Sequence, residues 1–203
     1  MSEEREHKTD NEDLYWIQQS KQGNLRAFDQ LVVKYQQRLY HVVRNIVLQH
    51  DDANDILQDT FVKAFKHLER FDEQLPFYPW LLRIALNTAL NQQAKAKRMH
   101  LRMISLDQHP AIDSPDPDDA VQHLEQTELQ EKITDALAAL PVDQRMVFVL
   151  RTSEELSYQE ISEQLDISLG TVMSRLSRAR AKLKTLLKGY FANQNSGAGN
   201  DDL

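Results

Sequence analysis

The side chains best suited to intermolecular chemistry lie late in the chain. From Leu169 to Lys188 stand Arg175, Arg178, Arg180, Lys182, Lys184 and Lys188, with no acid among them. On a helix, Thr171, Ser174 and Arg178 would share one face, flanked by Arg175 and Lys182. Val172, Leu176, Ala179 and Leu183 would form an apolar stripe opposite. Short hydroxyls on the first turns, with a guanidinium beyond them, are groups that read base edges. Arg pairs bidentately with guanine, and Ser pairs with several bases. Arg180, Lys182 and Lys184 suit phosphate oxygens. The competing explanation is a solvated basic face, favoured near a helix C-terminus by the macrodipole.

The residues just before this segment favour the first explanation. Ser157-Tyr-Gln-Glu160 fits a capping box, in which hydroxyl and carboxylate satisfy each other's backbone N–H. Ile161 and Leu165 would face inward from the short helix that follows. Asp166-Ile167-Ser168 has the length of the turn in a helix-turn-helix, and Ser168 is a good N-cap for the next helix.

Two further candidate helices lie mid-chain. From Asp52 to Leu68, Leu57, Phe61, Ala64, Phe65 and Leu68 form an inward stripe. Asp52, Asp55, Asp59, Lys63 and Lys66 lie opposite. Acids early and bases late suit the helix dipole, and a docking surface for a protein partner is the alternative. Metal binding or carboxylate catalysis fits poorly. The acids point outward and no Glu-x-x-His motif is present. From Pro79 to Arg98, Leu81, Ile84, Ala85 and Thr88 face a core, and Trp80, Asn87, Asn91 and Arg98 fall within about 40° of one another on the wheel. Asn and Arg read base edges, and aromatics stack on exposed bases. The loop from Phe71 to Tyr78 has aromatic flanks that could hold an unstacked base. Phe71, Phe77 and Trp80 could equally be core residues.

These elements must be arranged by a chain of 203 residues with 41% hydrophobic and 27% charged residues and five glycines, a composition that fits packed helical domains. The fold class expected is all-α, with two small helical domains on a flexible acidic linker. Residues 1–12 read as a frayed tail and 13–98 as the first domain. Residues 99–123 read as the linker, with prolines 110, 115 and 117 among aspartates. Residues 124–189 read as the helix-turn-helix domain, stopped near Gly189, and 190–203 as a disordered tail. No stretch is apolar enough for a membrane span, and the first residues carry no apolar leader segment. With no cysteine, disulfides and thiolate metal sites are excluded. The net charge of −7 opposes DNA binding by the whole chain, so binding must come from segregated patches.

Read in order, the motifs resemble the extracytoplasmic-function sigma factors of RNA polymerase, nearest to their envelope-stress, sigma-E-like branch. They are Asp52-Ala-Asn-Asp-Ile-Leu-Gln-Asp-Thr-Phe61, Phe77-Tyr-Pro-Trp-Leu-Leu-Arg-Ile-Ala-Leu-Asn87, Ala139-Leu-Pro141 with Arg145, Leu156-Ser-Tyr-Gln-Glu-Ile161, and Gly170-Thr-Val-Met-Ser-Arg-Leu-Ser-Arg-Ala-Arg180. The resemblance spans about residues 13–188. It implies that residues 13–98 are sigma region 2 and 124–189 sigma region 4. Asp55, Gln58 and Asp59 would dock on core polymerase. Phe71 and Phe77 with their loop, Lys63 and Asn87 would handle the minus-ten element, and the helix face that Asn87 shares with Asn91 and Arg98 adds those two as candidates. Arg151, Ser174 and Arg178 would read the minus-thirty-five element, and the helix face described above adds Thr171, Arg175 and Arg180 as candidates. Met173 stands where the family usually carries a basic residue, and Leu75-Pro76 is bulkier than usual in the capture loop.

The function expected is therefore to bind core RNA polymerase in the cytoplasm and direct initiation at particular promoters. The implied partners are core polymerase, promoter DNA and a membrane-anchored anti-sigma factor, with no cofactor, metal or small-molecule substrate. A dimeric helix-turn-helix regulator acting without polymerase is the alternative, and an adaptor or sigma antagonist a third. An enzyme fits least, because the histidines are scattered singly with no nucleophile or metal spacing.

Overall fold

A computed structural model of the chain describes the backbone of residues 2–104 and 124–197, and the side chains of residues 11–96, 98, 99 and 130–188. Among the described residues there are eight α-helices and no strand. The helices are α1 (Ser2–Lys21), α2 (Leu25–Val47), α3 (His50–His67), α4 (Phe77–Ile104), α5 (Leu124–Ala138), α6 (Val142–Thr152), α7 (Tyr158–Leu165) and α8 (Leu169–Gly197). The chain divides into two compact units, one built chiefly from residues 1–92 and the other chiefly from 93–203. The all-α expectation holds.

In the first unit α2 packs against both α1 and α3. Its buried positions, Ala27, Leu31, Tyr35, Leu39, Val42, Val43 and Ile46, recur at helical spacing. Ile56 and Ala64 of α3 and Leu81, Leu82, Ala85 and Leu86 of α4 complete a dry aliphatic centre. Asp13 is buried on α1 and accepts hydrogen bonds from Lys34 and Tyr35 of α2. A buried carboxylate requires such partners, so this contact fixes α1 on α2. Gly23 makes the α1–α2 turn at φ 91, a backbone region that strains any side chain.

In the second unit α8 packs on α5 and α6. Leu137 and Leu140, at or just past the end of α5, and Met146, Val147 and Leu150 of α6 meet Val172, Leu176, Ala179 and Leu183 of α8, all buried. The last carbonyls of α5 lack intrahelical donors. The Arg145 guanidinium donates to Leu137 O at 3.2 Å, and the Lys182 ammonium donates to Ala139 O. Burial pulls the pKa of Arg145 down, but arginine stays protonated in proteins.

Three boundaries differ from expectation. Helix α1 begins at Ser2, where residues 1–12 were expected to fray. Acids at its start, Lys21 in its last turn and the absence of Gly and Pro favour the helix. Helix α4 continues through residues 99–104 because the chain there holds Met, Leu and Arg, all good helix formers, and no Gly or Pro. The rest of the expected linker, 105–123, lies outside the described residues. Helix α8 passes Gly189 and is described to Gly197, so the expected stop at Gly189 is not found; residues 198–203 of the expected tail lie outside the described residues. One glycine in a helix costs about 1 kcal/mol but does not end it without a left-handed turn.

Candidate nucleic-acid and polymerase interfaces

The helix-turn-helix expectation is met atom by atom. Ser157 N–H donates to Glu160 Oε2 at 2.7 Å, and Glu160 N–H donates to Ser157 Oγ at 3.2 Å. Hydrogen bonds from Ser157, side chain first and backbone second, hold the Glu160 carboxyl below its ordinary pKa. Asp166 turns the chain at φ 52, a left-handed conformation that Asp tolerates better than most residues. Thr171 N–H then donates to Ser168 Oγ at 3.1 Å, so α8 starts on the expected cap.

On α8 the stripe Val172, Leu176, Ala179 and Leu183 is buried as expected. Thr171 and Ser174 are half-buried, and Arg178 and Arg180 are exposed. The other candidate cations are tied to the domain itself. Arg175 Nε is 3.1 Å from Asp143 Oδ2, at the start of α6. Lys182, itself exposed, donates to Ala139 O just past the end of α5. Arg151 Nη1 donates to Leu156 O at 3.0 Å and Glu155 O at 3.1 Å, bracing the α6–α7 turn where Glu155 has φ 57.

On α3 the candidate docking residues Asp55, Gln58 and Asp59 are all exposed, while Ala53, Ile56, Thr60, Phe61 and Ala64 are buried. Leu57 is only half-buried, and Phe65, expected inside, is 39% exposed, edge-on to Phe28 at 5.0 Å. Its angular position on α3 is close to Gln58 rather than to Ile56, so the ring lies at the rim. Lys63 reaches across to α4, where its Nζ donates to Thr88 Oγ1 at 3.0 Å. Thr88 in turn donates to Ile84 O at 2.8 Å. Asn87 and Asn91 are exposed on α4, as is Arg98, whose Nε donates to Ala94 O at 3.2 Å.

The loop before α4 has its flanking aromatics packed inward. Phe71 and Phe77 are only 5% and 2% exposed, so neither ring offers a face to a base. They meet edge to face at 5.6 Å, and Trp80 lies 4.9 Å from Phe71 and 5.5 Å from Phe77. Tyr35 adds its ring at 5.7 Å from Phe77. Each Phe gains more by burial with its neighbours than an exposed stack would return. What projects is the segment between them, Asp72 to Pro76, with Leu75 58% exposed. Leu75 N–H donates to Asp72 O and Gln74 N–H to Asp72 Oδ1, both at 3.0 Å, giving a tight Asx-stabilised turn.

Two partnerships were missed in the sequence. Glu73 is held by Lys21 and Gln18 of α1 at 2.8 and 2.9 Å, and Arg175 is held by Asp143. Both join residues far apart in the chain, where helical periodicity carries no signal.

A model of Sigma-70 region 2 matches residues 31–99, and a model of Sigma-70 region 4 matches residues 130–183. The RNA polymerase sigma-H factor of Pseudomonas aeruginosa is 31% identical over 188 residues, covering 89% of this chain and 96% of that protein. The ECF RNA polymerase sigma-E factor of Escherichia coli K12 is 33% identical over 173 residues, covering 83% and 90%. Among solved structures, CnrH in complex with the cytosolic domain of CnrY matches with a TM-score of 0.60 and 30% identity, covering 88% and 98%. The sigma factor RpoE of Bartonella quintana, in complex with the anti-sigma factor NepR, matches with a TM-score of 0.61 and 27% identity, covering 79% and 96%.

A capped helix-turn-helix, together with a separate helical unit that matches region 2, defines a sigma factor: a protein that directs transcription initiation and belongs to no catalytic class. The alternative of a dimeric regulator working without polymerase is not favoured, since the match includes region 2 as well as region 4. The chain belongs to the ECF family of RNA polymerase sigma factors.

Proposed function

We propose that the two units divide promoter recognition between them, and that three separate surfaces carry the work. Residues 13–98 form the polymerase-docking and minus-ten unit, and 124–189 the minus-thirty-five unit. Asp55, Gln58 and Asp59 dock on core polymerase. Their support is joint exposure on one face of α3 with no internal role among their hydrogen bonds. Asn87, Asn91 and Arg98 on α4, with Lys63 beside them, contact the strand that opens at the minus-ten element. The turn Asp72 to Pro76 receives an unstacked base, and Phe71 and Phe77 serve as its rigid floor.

Thr171, Ser174, Arg178 and Arg180 read the minus-thirty-five duplex from the major groove. Arg175 and Arg151 hold that reading head together, and Arg175 remains within reach of a phosphate. The observation that carries this reading is the capped start of α8, with exposed Arg178 on the face opposite the buried stripe. Two solved relatives are complexes, one with an anti-sigma factor. That supports a regulator of the same kind here, which the family resemblance makes membrane-anchored. Work on polymerase and promoter DNA places the chain in the cytoplasm.

The test is run-off transcription with core polymerase and this protein on a promoter library. A sequence-specific transcript that requires both promoter elements is expected. Selective footprinting of duplex promoter without polymerase, and no transcript with it, would overturn the reading.

A further inference from the structure

The capture loop is not free to choose its own pose. Lys21 Nζ donates to Glu73 Oε1 at 2.8 Å and to Phe71 O at 3.0 Å, while Gln18 Nε2 donates to Glu73 Oε2 at 2.9 Å. Both donors lie on one side of α1, three residues apart, which places them on consecutive turns. Both oxygens of Glu73 are thereby engaged, and the backbone at the loop's first residue is engaged as well. Helix α1 is itself fixed to α2 through buried Asp13.

We propose that Gln18 and Lys21 of α1 act as positioning residues that set the pose of the loop Asp72–Pro76, through Glu73, for the capture of an unstacked promoter base. This deepens the loop's role under the proposed function and rests on it. The chemistry argues for such a device in two ways. A loop that exposes Leu75 and Gln74 gains order only from contacts at its ends, and those contacts are the Asp72 turn and the Glu73 hold. The loop also carries two acids where a polyanionic strand must approach. Lys21 neutralises Glu73, the Asx turn engages Asp72, and the hydrogen bonds from Lys21 and Gln18 that hold Glu73 also lower its pKa.

The residues belong to no buried core that would collapse on substitution. Lys21 and Glu73 side chains are 18% and 33% exposed. A pair of this exposure, reinforced by a neighbouring amide and a backbone carbonyl, sets an effect of about threefold to tenfold.

The experiment uses the holoenzyme with Lys21→Met, Glu73→Ala, the double variant and Lys21→Arg, beside the loop variants Gln74→Ala and Leu75→Ala. Three quantities are read: affinity for core polymerase, the rate of promoter opening, and the fluorescence of 2-aminopurine placed at each minus-ten position of the non-template strand. The expected result is slower opening, by about threefold to tenfold, with reduced 2-aminopurine signal at one position and unchanged core affinity. The double variant should be no worse than either single one, and Lys21→Arg should restore the signal. If the loop variants impair opening while the Lys21 and Glu73 variants do not, the hold is overturned and the loop's capture role stands. If neither set alters opening, the capture role itself falls and the hold with it.

Discussion

Arg175 Nε and Asp143 Oδ2 stand 3.1 Å apart, joining the second turn of the recognition helix α8 to the first turn of α6. This pair splits a basic run that looks uniform in sequence. Arg175 and Lys182 serve the domain, and Arg178 and Arg180 face outward. Both partners of the pair are partly exposed, and such pairs contribute only about 0–1 kcal/mol. A DNA phosphate can therefore compete with Asp143 for Arg175.

Arg178→Ala is expected to weaken binding to the minus-thirty-five element by about 1–3 kcal/mol and to relax base preference at one position. Asp143→Asn should do the reverse in kind. By releasing Arg175 it strengthens binding to any duplex and steepens the salt dependence, with no change in preference. Promoter-fragment affinity of the holoenzyme, measured against salt on matched and mismatched elements, separates the two. Equal losses on all sequences for Arg178→Ala would remove its base-reading role.

Arg151 illustrates a position where resemblance and structure assign different work. One nitrogen of its guanidinium, Nη1, closes the α6–α7 turn through two carbonyls, and lysine's flexible ammonium lacks the planar, pre-organised group that holds that nitrogen in place. Arg151→Lys is therefore expected to lower both the stability of the helix-turn-helix and its affinity for the upstream element. If affinity falls with amide protection in α7 unchanged, Arg151 acts on DNA directly.

The helices, their order, both caps and the buried stripe of α8 were legible because each depends on residues within one or two turns of each other. Local hydrogen bonding and helical period determine them. The pairing of Lys21 with Glu73 was not legible, since fifty-odd residues separate the partners and only packing of α1 brings them together. Phe71 and Phe77 were ambiguous for a related reason. An aromatic beside a loop reads alike whether it faces water or a core, and Tyr35 on α2 decides it. Helix ends were the least legible. Gly189 has no left-handed turn to make, and residues 99–104 have strong helix formers with no proline among them.

Phe77→Ala should destabilise the first unit by about 3–5 kcal/mol, the range for deleting a buried aromatic ring. Leu75→Ala, at an exposed turn position, should leave stability within about 0.5 kcal/mol. Urea unfolding of the full chain reports both. If Phe77→Ala proved stable yet failed to open promoters, its ring would be a direct base contact after all.

The double change of Asp55 and Asp59 to Ala should lower affinity for core polymerase by at least about tenfold if both carboxylates lose desolvated partners. Folding should be untouched, because both side chains are exposed. Competition binding to core polymerase against the unchanged chain measures this, and undiminished affinity would return the acids to a role in helix dipole compensation alone.

The capping box gives the second unit a predictable response to acid. Glu160 accepts hydrogen bonds from Ser157 that its charged form makes better than its neutral form, so its pKa in the folded chain lies below the ordinary 4.5. The unfolded chain thus takes up the proton first. The stabilisation is fully present above that unfolded value and is lost as pH falls through the lower folded value. Loss of such a cap costs about 1 kcal/mol, and because Glu160 is exposed to solvent the pH-dependent share is smaller than the whole. Amide exchange in α7, followed downward from neutral pH, should accelerate over this window in the unchanged chain. In Glu160→Ala exchange should already be faster at neutral pH and should show a flatter response to acid. Identical pH profiles for the two proteins would mean that the Glu160 carboxylate does not hold the start of α7, and that the Ser157 hydroxyl caps it alone.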